Sequence, residues 1–234
     1  MFEPNYNSYY KEYANKSLDW LPMDTKELYE KNLKEKYQLL KQHDWIDKSF
    51  TYKFNSHGFR CEEFTNKPTI MVLGCSFTCG IGLPIEFIWP ELISKNLNMH
   101  CANLGIGGGS NDTAFRLCNG WIDVIRPQVV ILLRTNPVRL ELLNSTTIEN
   151  LSLLWEESIT GNSSFLKKWT IDDNNSYFND LKNQIAIQNI CVTRNIKFLS
   201  LIFNQMPRAD LARDLCHHGI KSNKLFAEYV LTKI

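Results

Sequence analysis

The chain has 234 residues, of which 44% are hydrophobic, and this is enough to build the core of one large domain. Its 26 basic and 25 acidic residues give a formal net charge of +1, so no overall field attracts nucleic acid or an anionic membrane. No apolar run approaches the roughly 20 residues of a membrane span, and residues 1–6 are too polar for a secretory signal. We therefore expect a cytoplasmic protein without a nucleic-acid or membrane partner, and the sequence does not indicate its oligomeric state.

Seven cysteines are scattered along the chain. Their odd number and the lack of a Cys-x-x-Cys pair predict free thiols in a reducing compartment. The run Cys216-His217-His218 raises the alternative of a zinc site, but no second ligand pair with finger-like spacing accompanies it. The sequence thus predicts neither a metal nor a cofactor.

Residues 1–50 are aromatic and charged, and between residues 25 and 42 the apolar side chains recur at roughly helical spacing. This pattern predicts an N-terminal helical appendage over residues 1–50, followed by one domain over residues 51–234. An alternating segment at 49–54 predicts a short strand, and the turn-forming residues 55–58 follow it.

From residue 69 onward, apolar runs alternate with helical patterns. The predicted strands cover residues 70–73, 99–104, 129–133 and 196–203, and the predicted helices cover 87–97, 113–125, 177–192 and 219–231. Uninterrupted apolar strands separated by helices predict an α/β fold, a three-layer α/β/α sandwich with a mainly parallel, flavodoxin-like central sheet. The polar stretch 144–175 is predicted to form a loop or small helical insertion over the sheet, and it is a candidate lid.

Ser76 follows the first strand of this predicted sheet, in the run Gly74-Cys75-Ser76. Ligands bind at the carboxyl ends of the strands in such sheets, so Ser76 is a candidate nucleophile. The alternative is an ordinary helix N-cap serine. The run is not the Gly-x-Ser-x-Gly elbow of α/β-hydrolases, because Thr78 replaces the second glycine.

A glycine cluster, residues 105–110, follows the second strand. Glycines let backbone N–H groups approach a ligand closely, which favours an oxyanion-hole donor here. A dinucleotide site is the weaker alternative, because the Gly-x-Gly-x-x-Gly pattern is incomplete and follows the second strand instead of the first. A purely structural turn is the third interpretation of this cluster.

Asn136 follows the third strand, in the run Arg134-Thr135-Asn136-Pro137. Its side-chain amide at this edge can donate to an oxyanion, and the alternative is an Asn-Pro turn initiator.

Asp214 and His217 lie three residues apart, just before the last predicted helix. One turn brings the carboxylate and the imidazole together, as a base and its orienter require. His218 competes with His217 as the base.

These four blocks resemble the SGNH hydrolases, also called the GDSL esterase/lipase family, over about residues 54–232. The resemblance implies Ser76 as the nucleophile, with Cys75 in place of the family's acidic residue, and Ser76 and Gly108 as backbone oxyanion donors. It implies Asn136 as a third donor, although only the asparagine of the third block is kept. The last block, Asp-x-x-His, is intact and implies Asp214 as the orienter and His217 as the base.

Arg134 and Pro137 replace small or acidic residues of the family, so the pocket is predicted to favour an anionic group, with Arg134 or Arg139 as its partner. A plain ion pair between Arg139 and Glu141 is the alternative.

The resemblance implies a serine esterase that forms an acyl-enzyme. The segment 55–60 resembles the one before the first block in carbohydrate-associated members, which implies an O-acyl group, such as acetyl, on a carbohydrate. Three alternatives stay open: an O-acyltransferase with the same residues, a non-catalytic glycan-binding module that keeps the fold, and, more distantly, a nicotinamide enzyme.

Overall fold

A computed structural model describes residues 10–143, 148–152 and 173–234. The strands in these residues are β1 (Ser17–Leu18), β2 (Tyr52–Lys53), β3 (Thr69–Leu73), β4 (His100–Asn103), β5 (Val129–Arg134), β6 (Leu140–Leu143), β7 (Ile148–Leu151) and β8 (Lys197–Ile202). The helices in the same residues are α1 (Lys26–Glu35), α2 (Tyr37–Gln42), α3 (Ser76–Cys79), α4 (Trp89–Leu97), α5 (Asn111–Ile125), α6 (Asp173–Val192) and α7 (Ile220–Leu231).

Within the described ranges, the central sheet has four parallel strands in the order β4-β3-β5-β8. In β3, Met71 pairs with Ala102 of β4 on one side and with Val130 of β5 on the other. The strand order matches the first four positions of the flavodoxin-like order, and all four carboxyl ends lie at one edge. The predicted fold class is confirmed.

Helices cover both faces of this sheet, which explains the uninterrupted apolar runs. Successive side chains of a strand point to opposite faces, so Ile70 and Val72 pack with helices α4 and α7. Met71 and Leu73 pack with α5 and α6 on the other face. The result is the three-layer sandwich, with two apolar cores separated by the sheet.

Helix α5 begins two residues earlier than the predicted start at residue 113. Ser110 is its N-cap, and the Ser110 hydroxyl accepts a hydrogen bond from N of Thr113 at 3.2 Å. The Thr113 hydroxyl in turn accepts from N of Ser110, also at 3.2 Å, which completes a capping box. This cap fixes the start of α5 directly after the glycine cluster.

The roughly helical spacing over residues 25–42 corresponds to two helices, α1 and α2, because the backbone at Lys36 leaves the helical conformation with φ −133° and ψ 30°. Of the strand predicted at 49–54, only β2 forms, paired antiparallel with β1. The separation of residues 1–50 from 51–234 stays a prediction; in the described part, Leu40 and Trp45 pack in one core with Leu83 and Ala212.

The polar stretch 144–175 was predicted as a loop or helical insertion, and this is wrong for two parts of it. Residues 148–151 form β7, which pairs antiparallel with β6, and α6 starts at residue 173, earlier than the predicted 177. Residues 144–147 and 153–172 lie outside the described residues, and most of the candidate lid lies there with them. No described helix is both long and apolar enough to cross a membrane.

Candidate active site

The loop after β3 places Ser76 at the carboxyl edge of the sheet. Gly74 lies at φ 156°, and a Cβ at this position would be 2.3 Å from the Thr78 hydroxyl and 3.0 Å from the carbonyl oxygen of Leu133. Only glycine therefore allows the chain to pass this close to β5 and to start α3 at Ser76. The Ser76 side chain is largely buried, and within the described residues its N–H group has no acceptor.

Hydrogen bonds connect the loop after β4 directly to the loop that carries Ser76. The Asn103 side chain donates to the carbonyl oxygen of Thr78 at 2.9 Å and accepts from N of Gly105 at 3.0 Å. N of Ile106 donates to the carbonyl oxygen of Gly74 at 3.1 Å. At Gly105 an added Cβ would lie 2.6 Å from N of Cys79, so this glycine is required for close packing of the two loops.

The three consecutive glycines of this loop differ in their hydrogen bonds. N of Gly107 donates to the Tyr10 hydroxyl at 3.0 Å, and N of Gly109 donates to the carbonyl oxygen of Ile106, also at 3.0 Å. Gly108 lies at φ 74°, in the left-handed region, and its N–H has no acceptor within the described part of the chain. Gly108 therefore keeps a backbone donor for a ligand.

The Asp-x-x-His block near the carboxyl terminus forms a tight carboxylate–imidazole pair. Asp214 Oδ2 contacts Nδ1 of His217, and Asp214 Oδ1 accepts from N of Cys216 and N of His217, each at 3.0 Å. Both side chains are buried. A carboxylate at Nδ1 fixes the imidazole tautomer with the proton on Nδ1, so Nε2 is the basic nitrogen.

Ser76, Gly108 and His217 line one cavity of about 420 Å³. Its other lining residues are Tyr10, Pro22, Met23, Phe77, Ile81, Gly107, Arg139 and Cys216. The Ser76 hydroxyl makes no hydrogen bond with a described residue. Hydrogen bonds between nucleophile and base are often long in a ligand-free site and shorten when substrate binds. The cavity thus brings a hydroxyl, a basic imidazole and two backbone donors together.

Asn136 does not join this group. Its side chain is exposed, it is not among the residues that line the cavity, and its Oδ1 accepts from N of Val138 at 3.1 Å. This is the geometry of an Asx turn, the alternative that the sequence left open.

The two arginines predicted to bind substrate have different surroundings. Arg139 lines the cavity, and its Nη1 donates to the Thr135 hydroxyl at 3.0 Å. Arg134 is not among the lining residues; its Nη1 pairs with Asp180 at 2.8 Å. Glu141, considered as a partner of Arg139, forms a buried ion pair with Arg116 at 2.6 Å.

His218, the competing base, lies outside the cavity lining. Its ring packs against Phe77 and Phe203, with centroid distances of 4.9 and 5.5 Å. Burial, reinforced by the nearby Arg208 and His217, lowers the pKa of His218 from 6.5 to about 4. His218 is therefore neutral at pH 7, and of the two imidazoles only that of His217 both contacts a carboxylate and lines the cavity.

Sequence reasoning missed the residues that hold the Asp214 loop in place. Arg213 is 2% exposed, and its Nη2 pairs with Asp24 at 2.7 Å. Asn32 donates to the carbonyl oxygen of Asp214 at 3.5 Å, and Trp45 Nε1 donates to that of Leu211 at 2.8 Å. No local pattern could have revealed these contacts, because their partners lie more than 160 residues apart in the chain.

The segment 55–60 also has a defined role. The Asn55 side chain accepts from N of His57 and N of Phe59, each at 3.0 Å, which closes the turn. Arg60 is buried and donates to the carbonyl oxygens of Cys79 and Leu83. This segment therefore supports the chain that follows Ser76, and it does not line the cavity.

Within the described residues, no group of three or more His, Cys, Asp or Glu side chains could hold a metal ion. Cys216 is exposed, and the other six cysteines, which also lie in the described ranges, are buried and free.

No protein-family model matches the chain, and no curated protein matches it in sequence. Among solved structures, it is similar to a protein described as lipolytic and of the G-D-S-L family from Desulfitobacterium hafniense DCB-2, with 14% identity, a TM-score of 0.40 and coverage of 71% of this chain and 99% of that chain. It is also similar to the lipase/acylhydrolase from Enterococcus faecalis, with 15% identity, a TM-score of 0.37 and coverage of 71% of this chain and 95% of that chain.

A third similar structure is the psychrotrophic esterase EstA from Pseudoalteromonas sp., with 16% identity, a TM-score of 0.36 and coverage of 70% of this chain and 94% of that chain. These values describe a distant likeness, and the activity of this chain is proposed from the geometry of its own site.

Proposed function

We propose that this chain is a serine hydrolase of the SGNH type that cleaves small acyl esters. Ser76 is the nucleophile, His217 the base and Asp214 the orienter. The observation that carries the proposal is the shared cavity of Ser76, Gly108 and His217, with Asp214 bound to Nδ1 of His217. A serine hydroxyl needs an imidazole to accept its proton, and that imidazole needs a carboxylate to hold its tautomer.

The first half of the reaction forms an acyl-enzyme. Nε2 of His217 accepts the proton of the Ser76 hydroxyl while Oγ bonds to the ester carbonyl carbon. The N–H groups of Ser76 and Gly108 donate to the resulting oxyanion. The bond to the alcohol oxygen then breaks, and His217 returns its proton to the departing alcohol.

The second half releases the acyl group. A water molecule takes the place of the alcohol, His217 accepts one of its protons, and the water oxygen bonds to the acyl carbon. The bond to Ser76 Oγ breaks, Oγ recovers the proton from His217, and a carboxylic acid leaves. Asp214 stays ionised throughout and stabilises the imidazolium that forms in each half.

The proposal extends to the substrate class, an O-acyl group such as acetyl on a carbohydrate. Arg139 supports a polar alcohol part, because a guanidinium at the cavity wall can donate to sugar hydroxyls or to a carboxylate. The segment 55–60, whose resemblance implies a carbohydrate, does not line the cavity, so a panel of acylated saccharides is the appropriate test of this part. Product analysis with an added saccharide acceptor separates hydrolysis from acyl transfer.

Labelling with a small fluorophosphonate, followed by intact-mass measurement, tests the catalytic residues. We expect one adduct on the wild type, none on Ser76→Ala, and at least about 100-fold slower labelling of His217→Gln. His218→Gln is the matched control, because it changes the neighbouring imidazole outside the cavity lining, and it should label like the wild type. A folded wild type without an adduct, or an adduct that persists in Ser76→Ala, would contradict the proposal.

A further inference from the structure

A tight turn at residues 21–24 forms part of the cavity wall. N of Asp24 donates to the carbonyl oxygen of Leu21 at 3.0 Å, and N of Leu21 donates to that of Asp24 at 3.2 Å. The two central residues, Pro22 and Met23, both line the cavity with Ser76. The N-terminal segment therefore contributes directly to the candidate active site.

Met23 has an unfavourable backbone conformation in this turn. Its φ is 76°, and with proline before it and the bond from Asp24 to Leu21 it occupies the third position of a type II turn. That position favours glycine, because a Cβ in the left-handed region approaches the neighbouring carbonyl oxygen. Strained residues of this kind persist only where surrounding contacts fix them, and they concentrate at functional sites.

Arg213 supplies the contacts that fix the turn. Its guanidinium pairs with the Asp24 carboxylate, donates to the carbonyl oxygen of Asp19 at 2.9 Å and lies 4.0 Å from the centroid of the Trp20 ring. Arg213 and Asp24 are 2% and 1% exposed. Since Asp214 follows Arg213 directly, the turn is held in a fixed place beside the catalytic pair.

The packing of the described residues does not explain why a long side chain stands at position 23. Met23 is 54% exposed, so most of its apolar surface is not covered by the fold. Tyr10, Phe77 and Ile81 add further apolar surface to the same cavity. An exposed, flexible thioether next to a nucleophile is suited to contact an apolar group of variable shape.

We propose that Met23 is a specificity-determining residue, which contacts an apolar group of the ester in the acyl or the alcohol part. The proposal rests on the function proposed above. The side chain stands where glycine would be less strained, it lines the cavity of Ser76, and its surface is open to a ligand.

Two substitutions at this position separate the side chain from the backbone strain. Met23→Gly removes both, and Met23→Ala removes the side-chain contact but keeps a Cβ in the left-handed region. Arg126→Gly is the control, because Arg126 is exposed, has φ 50° and ends α5 just before β5 begins, at the opposite edge of the sheet.

The activity measurement uses two ester series. One series varies the acyl chain of p-nitrophenyl esters from two to six carbons, and the other varies the alcohol of acetate esters from ethyl to hexyl. In one of the two series, both Met23 variants should lower the ratio of kcat/KM for the longest to the shortest ester by about 10-fold, the effect expected if Met23 covers roughly two of the added methylenes. The affected series identifies the part of the ester that Met23 contacts, and Arg126→Gly should change neither ratio.

Thermal unfolding supplies a readout independent of activity. Met23→Gly should unfold at a temperature no lower than the wild type, because it relieves the strain and few contacts are lost. A drop of several degrees would show that the fold itself needs the side chain, and it would overturn the inference. Ester turnover with unchanged ratios in both series would overturn the inference alone, whereas a folded wild type without turnover or a fluorophosphonate adduct would remove the proposed function as well.

Discussion

Asn136 and Ser76 both follow a strand at the same edge of the sheet, yet only Ser76 lines the cavity. Strand ends bring residues to a common edge, but the turn that follows each strand decides where a side chain goes. After β3 the chain enters helix α3 at Ser76, whereas after β5 the Asn136 side chain closes its own turn through N of Val138. The position of a residue after a strand therefore predicts the sheet edge at which it lies. It does not predict whether its side chain lines the cavity.

Asn136→Ala tests this distinction. We expect kcat for a short p-nitrophenyl ester to change by less than about threefold, because loss of an exposed turn bond leaves the proposed oxyanion donors, the N–H groups of Ser76 and Gly108, in place. The measurement is steady-state turnover beside Ser76→Ala as the inactive reference. A drop of about 100-fold or more, the usual effect of losing an oxyanion donor, would restore Asn136 to the mechanism.

At the scale of elements, the loop at residues 211–217 depends on the N-terminal segment for its position. Asp24, Asn32 and Trp45 each bond to this loop, through a carboxylate, an amide and an indole N–H. The rings of Trp20 and Phe50 each lie 4.0 Å from the Arg213 guanidinium. The pair of Asp214 and His217 is thus held in place by a part of the chain far from it in sequence.

Asp24→Asn tests the energetic weight of this support. Because the Arg213 charge would stay buried without its partner, the free energy of unfolding should fall by about 3–5 kcal/mol, measured by urea denaturation. Turnover of the folded fraction should fall as well, since Arg213 adjoins Asp214. Asp44→Asn is the matched control: it removes the acid of the exposed pair with Lys48, which should contribute less than about 1 kcal/mol. If Asp24→Asn lowered the free energy of unfolding by less than about 1 kcal/mol, the pair would not support the loop at residues 211–217.

At the scale of the whole molecule, His218 links stability to pH. Its pKa is lowered from 6.5 to about 4 by burial, so the unfolded chain binds more protons than the folded chain between these two values. Stability from neutral His218 is therefore present above pH 6.5 and is lost as the pH falls toward 4.

The wild type should lose about 2 kcal/mol of stability through His218 between pH 7 and pH 4.5. Urea denaturation at several pH values measures this loss, and His218→Gln serves as the reference in which the residue cannot titrate. The difference between the two proteins should change with pH across this interval. A constant difference would show that His218 does not titrate in this way.

The architecture was largely predictable because β3, β5 and the helices between them follow uninterrupted apolar runs and helical spacing. The sequence also indicated Ser76, Asp214 and His217, since each stands at a recognisable local pattern. The hairpin of β6 and β7 was not predicted, because the polar residues Glu149 and Asn150 interrupt the apolar residues of β7.

The cavity wall was not predictable for a different reason. Tyr10 and Met23 reach the site only through tertiary contacts, such as the bond from Gly107 to Tyr10 and the pair of Asp24 with Arg213. Periodicity and spacing report local structure, and they carry no signal for partners so distant in the chain. The segment 1–50, predicted as an N-terminal helical appendage, therefore borders the candidate active site through Tyr10 and Met23.

The pair of Asp24 and Arg213 spans 189 positions of sequence, one of the longest loops that this chain can close. We expect a contact of such separation to form late, because the entropy of loop closure must be met before it stabilises the chain. The α/β sandwich can thus assemble before the Asp214 carboxylate is held in place. During refolding, recovery of fluorophosphonate labelling at Ser76 should lag behind recovery of helical and sheet structure. Labelling therefore reports on a late step of folding.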